Sequence, residues 1–489
     1  MPSFDFDKIV KELLYSPREP MIFTSGSFVV IFGLFLIFYK FVVTNRKSRM
    51  VYLLLFSLYF YYKSSGMYFL FLFVTATIDY TVAIWMEKIT DTKRRRILLL
   101  ISLISNLGLL GYFKYMNFFL STANGMFGKD FAHLDIFLPA GISFYTFQSL
   151  SYTIDVYRRV IKSKKNFFDF AFFVSFFPQL VAGPIVRAKD FLPQLDKDNQ
   201  ITPTDTGMAI LLIMKGLIKK AIIADYISTN FVDRVFDSPL QHSGLENLLG
   251  VYGYAMQIYC DFSGYSDMAI GIAMMLGYRL TLNFNSPYKA TSLTDFWHRW
   301  HISLSSWLRD YLYISLGGNR KGKIRTYFNL MMTMLLGGLW HGASWKFVMW
   351  GGLHGGGLAF EKALGIDKIA ERNVLTRWIG RIITFHFVCL GWLFFRADSF
   401  DTAIAMLVNI TTAFHLEILW RVVAAYNFVF ILIAIGYIVH YLSSSWNEWF
   451  IAKAIRTPKP VIAFMLVVVI WVVFQVKTSE IQPFIYFQF

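Results

Sequence analysis

Three histidines occur in strongly apolar parts of the chain, where an imidazole is not needed for packing. His298 and His301 lie in DFWHRWHISLSSW, and His341 lies in LLGGLWHGASW. Burying an imidazole without a partner costs free energy, whereas a neutral imidazole accepts a proton readily near neutral pH. The stretch from Asp295 to Trp345 therefore predicts a site for general acid–base chemistry.

The segment 295–311 must position the first two histidines. At about 100° per residue, one side of a single helix carries Trp297, Trp300, Leu304, Trp307, Leu308 and Tyr311, and the other carries Asp295, Arg299, Ser306 and Asp310. This pattern predicts an amphipathic helix in or against a membrane interface. On such a helix, His301 points towards the core and His298 towards lipid headgroups or solvent.

Each of these features has an alternative interpretation. A single histidine in an apolar segment is more often a satisfied structural residue, and the glycines around His341 permit close helix packing as well as close approach of a substrate. Asp295, His298 and His301 have a spacing that could offer metal ligands. Because a helix spreads these three side chains apart and no cysteine or second histidine pair completes a site, we predict no metal.

Composition indicates where the remaining elements lie. The 489 residues are 56% hydrophobic and only 16% charged, whereas soluble surfaces need roughly 25–35% charged residues. Apolar runs near the length of a bilayer span predict one polytopic membrane domain over residues 1–489, with roughly eleven or twelve passages. The net charge of +16 comes from cations in short loops, as in cytoplasmic loops, so the predicted partner is the lipid bilayer and not nucleic acid.

Two apolar regions contain residues that lipid does not tolerate. Phe168 to Val186 includes Pro178 and Gly183, which predicts a broken or re-entrant helix. The run QIYCDFSGYSDMAIG places Asp261, Ser263 and Asp267 at membrane depth, where carboxylates face a cavity or pair with a cation. Nearby, Lys215, Lys219 and Lys220 are expected to reach an interface by snorkelling.

Several long motifs in one order resemble a known family. The histidine motifs, together with LPAGISFYTFQSLSYTIDVYR, FFPQLVAGPIVR, QIYCDFSGYSDMAIGIAMMLGY, NFNSPY and GWLFFRADSF, are similar to those of the membrane-bound O-acyltransferase family, in the bacterial branch that includes alginate O-acetyltransferases. The resemblance covers about residues 138–400. It implies an all-α bundle of about eleven transmembrane helices with re-entrant and interfacial segments.

The resemblance also implies roles for particular residues. His341, in the WHG motif, corresponds to the principal catalytic residue, a general base, and His301, in WHISLS, to a second active-site histidine that orients the acceptor or stabilises an oxyanion. The candidate substrate-binding residues are Asp261, Ser263, Asp267, Trp340 and Arg309.

The implied reaction moves an acyl group, expected to be acetyl, from a cytoplasmic thioester to a hydroxyl of an extracytoplasmic polysaccharide or of a relay partner. The expected donor is acetyl-coenzyme A or an acyl-carrier protein, with no tightly bound cofactor, and the expected location is the bacterial cytoplasmic (inner) membrane. The alternative from a different class is a transporter or acyl-export channel whose path is lined by Asp261 and Asp267.

Overall fold

The computed structural model describes residues 6–476, apart from 18, 43–44, 198–200, 367–368 and 370–372. Every regular element in the described part of the chain is a helix, as an all-α membrane protein requires. The described residues divide into two compact units, one of residues 1–202 with 272–281 and one of residues 203–271 with 282–489.

Ten helices belong to the first unit. They are α1 (Phe6–Leu13), α2 (Gly26–Val42), α3 (Arg46–Ser65), α4 (Phe69–Lys88), α5 (Thr92–Leu110), α6 (Met116–Phe127), α7 (Ile142–Tyr157), α8 (Phe167–Ser175), α9 (Phe177–Leu180) and α10 (Ala188–Leu195). Stacked phenylalanines fill one part of the core, and Phe177 packs against Phe28, Phe32 and Phe60. Helices α4, α5 and α7 pack on one another and bury polar side chains.

Fourteen further α-helices follow in the part of the chain that the structure describes. They are α11 (Pro203–Leu217), α12 (Asp225–Ile227), α13 (Asp233–Asp237), α14 (Gly244–Met275), α15 (Leu293–Arg299), α16 (Ile302–Trp307), α17 (Lys323–His341), α18 (Trp345–Leu364), α19 (Val374–Arg396), α20 (Phe400–Thr412), α21 (Leu419–Ala425), α22 (Asn427–Tyr441), α23 (Ser444–Ile455) and α24 (Lys459–Val476). Except for the last residues of α14, which belong to the first unit, they form the second unit.

The antiparallel helices α17 and α18 pack tightly against each other in the second unit. A Cβ atom at Gly338 would overlap the backbone carbonyl of Phe347, and one at Gly351 would overlap that of Met334. Glycine at these positions therefore permits close helix packing, which is one of the two interpretations that the sequence allowed for the glycines near His341.

Three helical segments among the described residues are long and apolar enough to cross a bilayer: Arg46–Lys88, Thr92–Phe127 and Val374–Arg396. The pair Phe400–Thr412 and Leu416–Ala425, bent by 94°, makes a fourth if it forms one span. Shorter apolar helices add to these, so the chain is a multi-pass helical membrane protein. The total of eleven or twelve passages stays a prediction.

Two local predictions have different outcomes. The broken helix is confirmed, because α8 ends at Ser175, the short α9 follows, and residues 181–187 form no helix before α10. The single amphipathic helix over 295–311 is wrong. The chain forms α15, breaks at Trp300 and His301, and continues through α16 into a π-helical segment, Leu308–Tyr313.

Candidate active site

His341 is the last residue of α17, where the helix gives way to an extended Gly342. Its side chain is buried in a box of aromatic rings. The centroid of its imidazole lies 5.1 Å from that of Trp340, 5.0 Å from that of Trp350 and 5.5 Å from that of Phe395. These walls limit the directions in which the imidazole can turn and keep bulk water away from it.

His301 occupies the break between α15 and α16 in the left-handed conformation, with φ 44° and ψ 53°. This conformation is uncommon for a residue other than glycine, and it is often found at functional sites. The side chain is fully buried, as the sequence predicted, and it lies between helices of seven and six residues, too short to cross a bilayer. Burial disfavours the imidazolium and lowers the pKa of His301 to about 3.

Asn283 determines which nitrogen of His301 carries the proton. The backbone N–H of Ser303 donates to Asn283 Oδ1 at 3.3 Å, which identifies that atom as the carbonyl oxygen of the amide. His301 Nδ1 lies 3.1 Å from the same oxygen. Because a carbonyl oxygen only accepts hydrogen bonds, Nδ1 carries the hydrogen and Nε2 has the lone pair.

The rings of His301 and His341 lie close to each other. Their ring centroids are 6.4 Å apart, and the ring of Trp340 lies 5.9 Å from that of His301. This separation allows two imidazoles to contact one small polar group, or two adjacent hydroxyls, placed between them. A third histidine, His354, is buried behind Trp350, with its ring centroid 4.8 Å from that of Trp350.

The polar run of α14 is held by buried lysines. Lys220 forms ion pairs with Asp261 and, at 2.7 Å, with Asp225, and its side chain is only 3% exposed. Lys219 Nζ lies 2.8 Å from Asp267 and 3.0 Å from Ser263 Oγ. The expectation that Lys219 and Lys220 snorkel to an interface is therefore wrong, since a carboxylate at the same depth compensates each charge.

A role for Asp261, Ser263 and Asp267 in substrate binding stays a prediction. In the structure, the carboxylates of Asp261 and Asp267 pair with lysines of neighbouring helical segments, which is the alternative that the sequence left open. Each of these residues now has a structural reason to be polar that does not require a substrate.

Arg309 lies apart from the histidines, in the π-helical segment, with its side chain 59% exposed and its Nε 2.7 Å from Asp310. It lines a cavity of about 310 Å³ together with His298 and Lys362. Most of the remaining wall is apolar and includes Trp297 and Met334. The cavity thus combines basic side chains with an apolar interior.

The alternative metal site does not assemble from the predicted residues. Arg299 Nε donates to Asp295 at 2.7 Å, while His298 is exposed and His301 is buried. Among the described residues, no group of three or more His, Cys, Asp or Glu side chains comes together as a metal site would require.

Comparison with protein families supplies the identity. Residues 98–400 match the model of the membrane-bound O-acyltransferase family, which is more than half of the chain. The chain belongs to the membrane-bound O-acyltransferase family. It is an acyltransferase, and the two buried histidines, His301 and His341, both lie inside the matched region.

Curated relatives of this acyltransferase agree. It is 43% identical over 79% of its length to a probable alginate O-acetylase of Pseudomonas putida, covering 79% of that protein. It is 38% identical to a peptidoglycan O-acetyltransferase of Helicobacter pylori, over 73% of this chain and 72% of that one. It is 33% identical to a teichoic acid D-alanyltransferase of Bacillus subtilis, over 53% of this chain and 69% of that one.

Sequence reasoning missed one residue of the candidate site, Asn283. It is fully buried and connects His301 to Ser266, whose Oγ accepts from Asn283 Nδ2 at 3.1 Å. NFNSPY was noted as a motif, but its first asparagine lies 18 residues before His301. The sequence shows only that the Asn283 amide stands next to an aromatic residue, Phe284. The fold is needed to show that this amide contacts His301.

Proposed function

We propose that this protein transfers an acetyl group from a thioester donor on the cytoplasmic side to a hydroxyl group of an extracytoplasmic polysaccharide, across a bacterial inner membrane. One observation carries the proposal: the rings of two buried histidines, His301 and His341, lie 6.4 Å apart among aromatic side chains within the family's matched region. Two of the relatives are named as O-acetylating enzymes of alginate and of peptidoglycan, and the third is named as a teichoic acid D-alanyltransferase.

In the proposed reaction, His341 is the general base. The acceptor hydroxyl donates its proton to the imidazole as its oxygen attacks the thioester carbonyl carbon. The tetrahedral intermediate then collapses, the C–S bond breaks, and the proton passes from His341 to the leaving sulfur. The products are an O-acetyl ester and a free thiol, and His341 returns to its neutral form.

His301 has a different task, which follows from its tautomer. With Nδ1–H held by Asn283, Nε2 accepts a hydrogen bond and has no proton to donate to an oxyanion. Of the two roles that the resemblance implied, orientation of the acceptor is therefore the better supported. A sugar carries adjacent hydroxyls, so one can donate to His301 while its neighbour donates to His341.

The cavity beside Arg309 supports a thioester donor. Phosphate groups pair readily with arginine and lysine, and the arm between phosphate and thioester needs a less polar channel. The exposed basic residues Arg320, Lys321, Lys323 and Arg325 follow Arg309 in the chain, as expected for the cytoplasmic side. Acetyl-coenzyme A and an acyl-carrier protein both meet this description, and either would bind transiently.

The aromatic walls support transfer rather than hydrolysis. Trp340, Trp350 and Phe395 surround His341 and leave little room for water that would cleave the thioester. The acceptor enters from the extracytoplasmic side, either as the polysaccharide itself or as a hydroxyl of a relay partner.

The test is transfer of label from acetyl-coenzyme A in membranes that contain equal amounts of inserted protein. We expect His341→Gln to abolish transfer, because the amide cannot take up the proton. The matched control is His415→Gln, which makes the same change at an exposed histidine and should leave the rate unchanged. Normal transfer by the inserted His341→Gln protein would refute the assignment of the base.

A further inference from the structure

A polar cluster lies inside the first unit, apart from the histidines. Helix α4 contributes Asp79, helix α5 contributes Ser102 and Asn106, and helix α7 contributes Ser149 and Thr153. All five side chains are fully buried. Since α4 and α5 belong to segments that are long and apolar enough to cross a bilayer, the cluster occupies the part of the protein where polar groups are most costly.

The carboxylate of Asp79 accepts hydrogen bonds from Ser102, Asn106 and Ser149 and forms no ion pair with any described residue. Ser102 Oγ donates to it at 2.6 Å, and Asn106 Nδ2 donates at 3.0 and 2.9 Å. No lysine, arginine or histidine of the described chain pairs with it. By contrast, Asp169 in the same unit is paired with Arg46 and Lys164, and Asp261 is paired with Lys220.

Hydrogen bonds alone do not compensate a buried negative charge. Buried charges in proteins are normally paired or coordinate a cation, and intramembrane carboxylates face a partner or mark the path of an ion. A single positive charge next to Asp79 would make the cluster neutral. A divalent cation would instead leave the buried cluster with a net charge of +1.

One further oxygen of the cluster, Asn106 Oδ1, has no hydrogen-bond partner among the described residues. Ser149 lies beside the carboxylate of Asp79, and Thr153 Oγ1 lies 3.1 Å from Ser102 Oγ. A half-turn of the Asn106 amide exchanges its nitrogen for its oxygen on the side of Asp79. The cluster then presents hard oxygen atoms from three helices, the ligands that hard cations such as Na⁺ prefer.

We propose that Asp79, Ser102, Asn106, Ser149 and Thr153 form a binding site for one small monovalent cation, with sodium as the physiological ion. The ion joins α4, α5 and α7 and neutralises the carboxylate that they bury. This site does not depend on the proposed acyl transfer, because it lies in the other unit and uses none of the catalytic residues.

The experiment is thermal unfolding of the purified full-length protein in detergent, in sodium chloride or choline chloride at equal ionic strength. A ligand that binds only the folded state stabilises it increasingly with concentration. We therefore expect the unfolding temperature to rise with sodium and not with choline. Lithium and potassium series then report the size preference of the site.

Variants locate the ion. Asp79→Asn should remove the sodium dependence, whereas Asp169→Asn, at a buried carboxylate that already has basic partners, should retain it. Ser149→Ala keeps the carboxylate and should raise the sodium concentration for half-maximal stabilisation by at least about tenfold, the usual scale for a perturbed metal site. This variant keeps the test decisive if Asp79→Asn does not fold.

Three results would overturn the proposal. The first is equal stability of the native protein in sodium and choline. The second is sodium dependence that persists in Asp79→Asn. The third is an infrared band of a protonated carboxylic acid that is present in saturating sodium and lost in Asp79→Asn, because Asp79 would then be neutralised by a proton.

Discussion

The hydrogen bond between Asn283 and His301 makes a quantitative prediction about the reaction. In Asn283→Ala, the Nδ1–H of a fully buried imidazole loses the acceptor that now lies 3.1 Å away. The other tautomer, with its proton on Nε2, then becomes accessible, and it offers the acceptor sugar a donor instead of a lone pair. Ser303 and Ser266 also lose their contacts with Asn283, so the loop around His301 becomes less ordered.

The expected size follows from the cost of one unpaired buried donor, about 1–3 kcal/mol. If that cost appears in the transition state, the rate of acetyl transfer falls by roughly 5- to 150-fold, since 1.4 kcal/mol corresponds to a factor of ten. The assay is the initial rate of labelled acetyl transfer at saturating donor with a varied concentration of acceptor. Because His301 is proposed to orient the acceptor, the loss should be larger for the acceptor's kcat/KM than for the donor's.

Two variants separate tautomer control from simple loss of structure. Asn283→Asp keeps an acceptor for Nδ1–H, so it should retain more activity than Asn283→Ala at the same level of inserted protein. Ser303→Ala removes a 2.8 Å contact to the same oxygen and a long 3.5 Å contact to His301 Nδ1 but keeps the Asn283 oxygen as the acceptor of His301, and we expect a rate within about threefold of the native one. An Asn283→Ala protein that transfers acetyl groups at the native rate would refute the reasoning.

Other perturbations test the remaining parts of the argument. Lys362→Ala should raise the KM for acetyl-phosphopantetheine about tenfold, because it removes one charge-assisted contact to the phosphate. The KM for acetyl-pantetheine, which has no phosphate, should not change. The control in the same kinetic assay is Lys93→Ala, which alters another exposed lysine. Asp261→Asn should lower the free energy of unfolding by about 2 kcal/mol. This is less than the cost of a fully broken buried ion pair, because Lys220 keeps its ion pair with Asp225. Denaturant titration in detergent measures the change, and an unchanged midpoint would contradict the buried pairing. His301 has a pKa of about 3 in the folded protein and about 6.5 in the unfolded chain, so the unfolded chain binds the proton first. The free energy of unfolding therefore falls as the pH drops from 6.5 towards 3, by up to about 1.4 kcal/mol per pH unit. His301→Asn should show a shallower acid dependence in the same titration, and identical slopes would count against a buried neutral imidazole.

Much of the architecture could be predicted from the chain alone. Composition and apolar runs indicated a helical membrane protein because a bilayer requires long apolar segments. Pro178 and Gly183 predicted the broken helix, since proline interrupts the interior of a helix and glycine lowers helix stability. The family resemblance rested on several long motifs in one order, and the family model matches over residues 98–400.

The amphipathic helix over 295–311 illustrates where such reasoning ends. Its periodicity was genuine, but the chain breaks at His301, which adopts a left-handed conformation that helical periodicity does not anticipate. The same applies to Lys219 and Lys220. Snorkelling was a reasonable expectation for isolated lysines, but Asp267 and Asp261, which pair with them, lie more than 40 residues later in α14.

The sequence by itself therefore determined the class of protein and the chemical groups, because residue types and apolar lengths act locally and are independent of distant neighbours. The tertiary structure alone decided which groups meet. Asn283 orients His301, the rings of His301 and His341 come within 6.4 Å of each other, and Asp79 is buried without a cationic partner among the described residues. Each of these facts depends on contacts between segments far apart in the chain, whose geometry is set by the packing of whole helices.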